Sequence, residues 1–422
     1  MIDAAEQFSR KEVLPIVDRL DRQEPGLMPG VIRNAGALGF CGVDSPEPYG
    51  GLGLSKNLAA RILEFLSLNA SFSVTMGVTS GIAQAGLALF GSDDQKAKYL
   101  PRLASGEWIG AYALSEPNSG SDALAASTRA ERKGDSYVLN GAKMWITNAQ
   151  WADLFLVMAK VDGERFSGFL VERSAPGVHV GREEHKLGLK GSSTARVLLE
   201  NAIVPAENLL YEEGKGHHVA FNALNLGRFK LSSMSIGPAR EAMGLAAGYA
   251  LERRQFGRPV ADFGLMRKKF AEMAALHYGA ESAIYRTGAL IDQAFTMLGG
   301  SIDGNRAAAE EFSVECGICK VFATEAEHLI GASHFYQDQF AEAQTHLTAA
   351  LEAAPKWRQA DESLLLLSRS QRRLDKLAEA KATVQKALAE FPNSKLVDQL
   401  HYRLGEYSYA ADDFTAAVAQ YD

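Results

Sequence analysis

Cysteine is scarce: Cys41, Cys316 and Cys319 are the three in 422 residues. An odd, small number in a chain this long offers no disulfide framework. It points to a reducing compartment, which sets the expectation of a cytoplasmic protein. Cys316-Gly-Ile-Cys319 is a lone pair in a helical stretch. Zinc wants four ligands, and none of the nine histidines stands at a spacing that completes the set, so no metal site is expected. Long apolar runs are missing too. No 18 consecutive apolar residues occur, and no membrane span is expected. Met1-Ile-Asp-Ala-Ala-Glu lacks a basic stretch leading into an apolar one, so a secretory leader is unsupported. Nor is there an excess of positive charge. With 44 basic and 51 acidic residues the net charge is −7, which gives no footing for nucleic acid. What is present is ordinary globular composition, at a length that suits about two to four domains.

Residues 1–108 read as helices, beginning with one over Met1 to Leu20 that opens without a cap. Ser45-Pro-Glu-Pro-Tyr-Gly-Gly-Leu-Gly-Leu54 is a Gly/Pro loop. Its Gly51-Leu-Gly53 lacks the full spacing, the strand and the ribose-binding acid of a dinucleotide fingerprint. Asn57 to Leu89 gives two more helices, and Ser92-Asp-Asp-Gln caps another. The period changes over 109–215, where short apolar or alternating runs separated by turns predict a small β-barrel or sandwich. Over 216–330 it returns to three long helices, Gly216 to Arg253, Asp262 to Phe295 and Ala307 to Ile330, punctuated by Pro259 and Gly299-Gly300. Three helices make an incomplete bundle, because a bundle core wants a fourth wall.

Two stretches carry chemistry. In Ala113-Leu-Ser-Glu-Pro-Asn-Ser-Gly-Ser-Asp-Ala-Leu-Ala125, an apolar strand breaks into a turn rich in hydroxyls and backbone N–H groups, where Gly120 lets a ligand approach closely. Gly141-Ala-Lys-Met-Trp-Ile-Thr-Asn148 then sends Trp145 and Thr147 to one face of a strand. An aromatic plane beside a hydroxyl suits a flat, redox-active, hydrogen-bonding heterocycle. The first stretch resembles a signature of the acyl-CoA dehydrogenases, and Lys143 to Asn148 resembles that family's second flavin-contacting strand.

The resemblance implies an α+β multidomain protein: an N-terminal helical domain, a central β-domain and a C-terminal helical bundle holding FAD. Tyr112, Leu114, Ser115, Gly120, Ser121, Trp145, Ile146 and Thr147 are the residues it places at the flavin. Among these, the Leu114 backbone and Ser115 hydroxyl would meet the pyrimidine edge, Thr147 would approach N5, and Trp145 would pack against the ring. Arg253-Arg-Gln-Phe-Gly257 reads locally as a helix end, with cations in the last turn and Gly after it. It is also similar to the family's Arg-x-x-Phe-Gly, in which Arg253 and Phe256 would reach a neighbouring subunit's FAD, and this implies a homodimer or tetramer. Ser121, Asn225 and Arg228 are the implied contacts to an acyl-CoA substrate, and an electron-transferring flavoprotein is the implied electron acceptor.

One part of the pattern is missing. The family's general base is a Glu, either in a late Tyr/Phe-Glu-Gly-Thr motif, which does not occur, or immediately before Arg228, where Gly227 stands. No catalytic base is therefore assigned, and Glu310, Glu311, Glu325 and Glu327 read as the wet faces of helices. After Ile330 the pattern changes. Phe340, Leu377 and Phe414 recur every 37 residues, as do Ala343, Ala380 and Ala417, and Pro355 recurs as Pro392. This resembles tetratricopeptide repeats, whose period is about 34. The expectation is a C-terminally truncated dehydrogenase module followed by an incomplete α-α repeat tail over 331–422, probing a peptide or protein partner. The alternatives are a non-catalytic scaffold chain and a fusion without settled function. A first tail helix, Ser333 to Leu347, is expected to fill the missing bundle wall, burying Phe335, Phe340 and Leu347 against Ile318 and Phe322.

Overall fold

The computed structural model describes residues 1–298, 302–336, 340–353, 355–356 and 359–421, so the punctuation expected at Gly299-Gly300 lies outside the described residues. The chain divides into two compact units. The first takes Met1–Lys186, Lys190–Met234 and Ala283–Cys319; the second takes Leu187–Leu189, Ser235–Ser282 and Lys320–Asp422.

The first unit begins with helices α1 (Ile2–Phe8), α2 (Val17–Asp21), α3 (Leu27–Ala37), α4 (Lys56–Leu66), α5 (Ala70–Val78), α6 (Gln84–Phe90) and α7 (Asp93–Ala104). The expected opening helix is broken. Pro15 has no N–H to continue the ladder, and the chain passes through a π-turn and a 3-10 turn before α2. Side chains start three of the others. Ser55 caps α4, Asn69 caps α5, and Ser92 with Gln95 forms a reciprocal capping box on α7. Phe8, Ile32, Phe40, Ile62 and Phe72 form the core of these helices. α5 and α6 join through a π-turn into one apolar helix, Ala70–Phe90. By length and composition it is able to cross a membrane, yet 72% of its most apolar window is buried inside the protein, as in a core helix.

Strands β1 (Gly110–Ala113), β2 (Arg129–Lys133), β3 (Ser136–Thr147), β4 (Leu154–Val161), β5 (Arg165–Glu172), β6 (Val178–Glu183), β7 (Thr194–Pro205) and β8 (Leu209–Leu210) follow. They form a single mixed sheet in the order β6-β7-β3-β2-β4-β5-β8, with β1 also pairing β4. The expected barrel or sandwich is corrected: β8 is two residues long, and it and β6 stand at opposite ends of the path without pairing. The apolar run of β4 is buried on both faces. Phe155, Val157 and Ala159 pack into one core, while Leu154, Leu156 and Met158 pack against α6 and α7.

Helix α8 (Gly216–Glu252) begins in the first unit, where Val219, Ala220 and Leu226 complete the core over β4 and β5. α9 (Gly264–Met297) and α10 (Ile302–Glu311) follow. The third long helix expected from the sequence is two, interrupted at Phe312 between α10 and α11 (Ser313–Tyr336). The second unit also holds α12 (Phe340–Ala353), α13 (Ala360–Arg373), α14 (Leu377–Glu390), α15 (Val397–Tyr409) and α16 (Phe414–Tyr421), each packed on the next. Three of them start at the residues that recur every 37 positions. The wall-filling helix is also corrected. The described residues give α11 through Tyr336 and α12 from Phe340. Phe340 and Leu347 pack in a core with Ala343, Leu364, Leu367 and Val384, Ile318 is 58% exposed, and the Phe335 side chain lies outside the described ones.

Candidate functional site

The two signature stretches meet because β1 and β3 are bridged at their ends. The Met144 N–H donates to the Ser115 carbonyl at 2.9 Å. Beside it, Lys143 Nζ donates to Glu116 Oε1 at 2.6 Å and to the Leu114 carbonyl at 3.1 Å. Glu116 also accepts from the backbone N–H groups of Ser127 and Thr128 and from the Ser127 hydroxyl. Burial alone would raise this carboxyl, but the Lys143 ammonium and these donors outweigh it and bring Glu116 down to about 2. Asn148, at φ 68°, donates to the Thr75 and Gly110 carbonyls and so fixes the end of β3 to α5 and β1.

On this frame sits a ledge. The β3–β7 register slips between Lys143 and Ile146, and Trp145 takes φ 56°, a left-handed bulge that turns the indole outward. Trp145 is 60% exposed. Thr147 and Ser115 are half-buried, and their hydroxyls make no hydrogen bond among the described residues. Gly120 and Ser121 are exposed, and a Cβ built at Gly120 meets nothing within 4 Å. Ile146 turns its side chain into the sheet core, so its backbone is the part left for a ligand. The Leu114 carbonyl is already shared with Lys143. An exposed indole beside two unpartnered hydroxyls and an open glycine turn fits a flat polar ring.

A second cluster adjoins it through α8. Half-buried Tyr112 donates its hydroxyl to the Ala220 carbonyl at 3.3 Å, and burial pushes its phenol up while the Arg228 charge nearby pulls it down. Arg228 Nη1 donates to Asn225 Oδ1 at 2.8 Å, and Asn225 Nδ2 reaches the Ala309 carbonyl of α10. Two residues further on, Lys230 anchors α8: its ammonium lies 2.6 Å from Asp44, which Lys56 also meets at 2.7 Å. Burial opposes ionisation of Asp44, but the two ammoniums hold it well below the usual carboxylate range. These three line a cavity of about 90 Å³ together with Ser80, Gln84 and Leu226.

Arg253 and Phe256 belong to the second unit. The expected helix end is corrected there: Gly257 is not a helix cap but the second residue of a tight turn between the paired segments Arg254–Gln255 and Arg258–Pro259. Phe256 and Gly257 both have positive φ, 51° and 78°, as a two-residue hairpin requires, and Phe256 is 92% exposed at its tip. Among the described residues no group of three His, Cys, Asp or Glu side chains is placed to hold a metal. Glu116, Lys143 and Asn148 are the supports that sequence reasoning missed. The signal was there, since a lysine and a glutamate sit inside the two stretches that had to touch.

Comparison with known proteins gives three family models along the chain. They are the acyl-CoA dehydrogenase N-terminal domain over residues 1–107, the middle domain over 111–202 and the C-terminal domain over 214–334. A "Probable acyl-CoA dehydrogenase" of Bacillus subtilis is 47% identical over 326 residues, covering 76% of this chain and 55% of that protein. An "Acyl-CoA dehydrogenase" of the same organism is 38% identical, covering 66% of this chain and 74% of that protein. Among solved structures, an acyl-CoA dehydrogenase from Bacillus anthracis complexed with FAD superposes with a TM-score of 0.81 at 36% identity, covering 99% of this chain and 77% of that one. The chain spans about half the length of several curated relatives that it matches.

Proposed function

Because this chain belongs to the acyl-CoA dehydrogenase family, we propose that it binds FAD on the Ser115–Trp145–Thr147 ledge and acts on the acyl chain of an acyl-CoA thioester. The observation that carries this reading is the outward-turned Trp145 beside two unpartnered hydroxyls, on a frame locked by the Lys143–Glu116 pair. Bound there, the flavin supplies a two-electron acceptor for the β-hydrogen as hydride. The chain's own part is to hold the ring: Trp145 covers one face, and Ser115 and Thr147 donate hydrogen bonds along its edge. Tyr112 stands at the flavin end, Asn225 and Arg228 form the polar floor of the substrate end, and Ser121 stands at the rim. Arg253 and Phe256, at their exposed hairpin, would reach the FAD of a second copy, in a homodimer or tetramer.

Proton abstraction at the α-carbon needs a base within hydrogen-bond reach. Gly227 stands immediately before Arg228, Glu310 and Glu311 are exposed, and the side chains of Glu325 and Glu327 lie outside the described ones. We infer that turnover is impaired, since loss of a general base typically costs about 10²–10⁴ in rate. We read residues 1–108, 109–215 and 216–330 as the domains of a truncated dehydrogenase and 331–422 as a tetratricopeptide-like tail. A cytoplasmic setting and an electron-transferring flavoprotein as acceptor complete the proposal. An absorbance spectrum of the purified chain, followed by anaerobic addition of a long-chain acyl-CoA, tests it. Bound flavin that shifts on ligand addition but stays oxidised is the expected result. Rapid bleaching would overturn the impairment, and a colourless protein that takes up no added FAD would overturn the cofactor site.

A further inference from the structure

Asp44, Lys56 and Lys230 bring more positive charge into the first unit than anchoring α8 requires. Both ammoniums close on one carboxylate, and at most 10% of any of the three side chains is exposed. Two lysines against one aspartate leave a net +1 on the wall of the cavity that they line. Buried charge is costly unless it is matched. The other contacts do not match it: Lys230 also donates to the Ser80 carbonyl at 3.0 Å, and the Lys56 ammonium lies 5.5 Å over the Phe295 ring. Asp292 approaches Lys56, but it accepts from the backbone N–H groups of Lys56 and Asn57 at the start of α4 and does not line the cavity. Burial presses Lys230 toward its neutral form, Asp44 opposes this, and the Lys56 charge adds to it.

The same cavity holds polar atoms that nothing satisfies. Ser80 is 3% exposed, and its hydroxyl, like Asn305 Oδ1, has no hydrogen-bond partner among the described residues. Buried polar groups are nearly always partnered, so a free hydroxyl beside an ammonium short of negative charge marks a missing acceptor. Gln84 is already spoken for, since it accepts from Ser45 Oγ at 2.6 Å and donates to the Cys41 carbonyl at 3.0 Å. The opposite wall is apolar, with Ala88, Leu89 and Leu226. A volume of about 90 Å³ is room for roughly three waters. An occupant that suits this shape carries one negative charge at one end and a few apolar atoms at the other. A halide meets the lysines but leaves the apolar wall uncovered, and a phosphate would press its further oxygens against that wall.

We propose that this cavity between α6, α8 and α10 binds a short-chain monocarboxylate of the size of acetate. Lys56, Lys230 and the Ser80 hydroxyl hold its carboxylate, and its methyl group lies against Ala88 and Leu226. The proposal does not depend on flavin binding. Saturation-transfer NMR on the full chain near neutral pH tests it, with sodium acetate as the probe and acetamide, its uncharged isostere, as the control. Saturable transfer to the acetate methyl is expected in the millimolar range for so small a ligand, with acetamide at least about tenfold weaker. Ala88→Leu fills the cavity without changing any charge and is expected to abolish the signal. Ser80→Ala is expected to weaken acetate about tenfold. Lys133→Gln, on an exposed lysine of β2, is expected to leave the affinity unchanged. No transfer at any millimolar concentration would mean that the cavity holds water alone, and this would overturn the proposal. Equal transfer to acetamide or equal loss in Lys133→Gln would overturn it too. So would an unaltered signal in Ala88→Leu or Ser80→Ala chains whose circular dichroism matches the parent.

Discussion

Lys143 Nζ lies 2.6 Å from Glu116 Oε1, and both side chains are almost wholly shut off from solvent. The pair joins strand β3 to the turn after β1, the two segments that carry the candidate flavin contacts. Removing one partner of such a buried pair leaves an uncompensated charge, which typically costs about 3–5 kcal/mol. Glu116→Gln and Lys143→Met are each expected to lower the urea midpoint accordingly. The double variant, with no buried charge left, is expected to recover part of the loss, and a strictly additive loss would show that the two residues act separately.

The same carboxylate sets an acid limit. Its folded value of about 2 lies below its ordinary 4.5. A depressed folded pKa contributes stability that is fully present above the unfolded value and is lost as pH falls through the folded one. The stability gap between the parent chain and Glu116→Gln is therefore expected to be constant near neutrality and to shrink between about pH 4.5 and pH 2. Urea titrations at stepped pH measure it, and a gap that widened on acidification would reverse the sign assigned here.

Two glycines separate packing from ligand contact. A Cβ at Gly36 would sit 2.0 Å from the Ser105 carbonyl oxygen, an overlap that backbone cannot easily relieve. Gly36→Ala is expected to cost about 3 kcal/mol, at the upper end for overpacking. At Gly120 nothing lies within 4 Å of the added methyl. Gly120→Ala is expected to leave the thermal midpoint unchanged and to weaken FAD, read by flavin fluorescence on titration.

Trp145 offers a complementary readout. Its side chain is 60% exposed and its φ of 56° is unfavourable for a side chain of this size. Trp145→Gly relieves that strain and is expected to keep or slightly raise stability. Loss of ring packing worth about 0.5–1.5 kcal/mol predicts a two- to tenfold weaker FAD complex. Unchanged FAD affinity would place the flavin elsewhere.

The helix, sheet, helix order was legible because each region keeps one hydrophobic period over many residues. Ser92 with Gln95 announced a helix start by chemistry that needs no distant partner. What the sequence hid depends on contacts between distant residues. Trp145 and Thr147 were placed on one face by simple alternation, but the indole leaves the sheet through a bulge, and a bulge is set by register against β7. Gly257 looked like a helix cap because a hairpin tip and a helix end ask for the same left-handed backbone. The Asp44–Lys56–Lys230 cluster joins residues 186 positions apart, and nothing local marks any of the three as a core residue.

The three cysteines have a practical consequence. All are buried, and burial pushes the Cys41 and Cys316 thiols up to about 12, so hardly any reactive thiolate exists near neutral pH. The native chain is expected to be silent to alkylating dyes, with labelling beginning only when the structure opens. Cys41 reports on the packing around α3, while Cys316 and Cys319 report on α11, and a tryptic map tells the two peptides apart. The unmodified chain thus carries its own clock for which part loosens first.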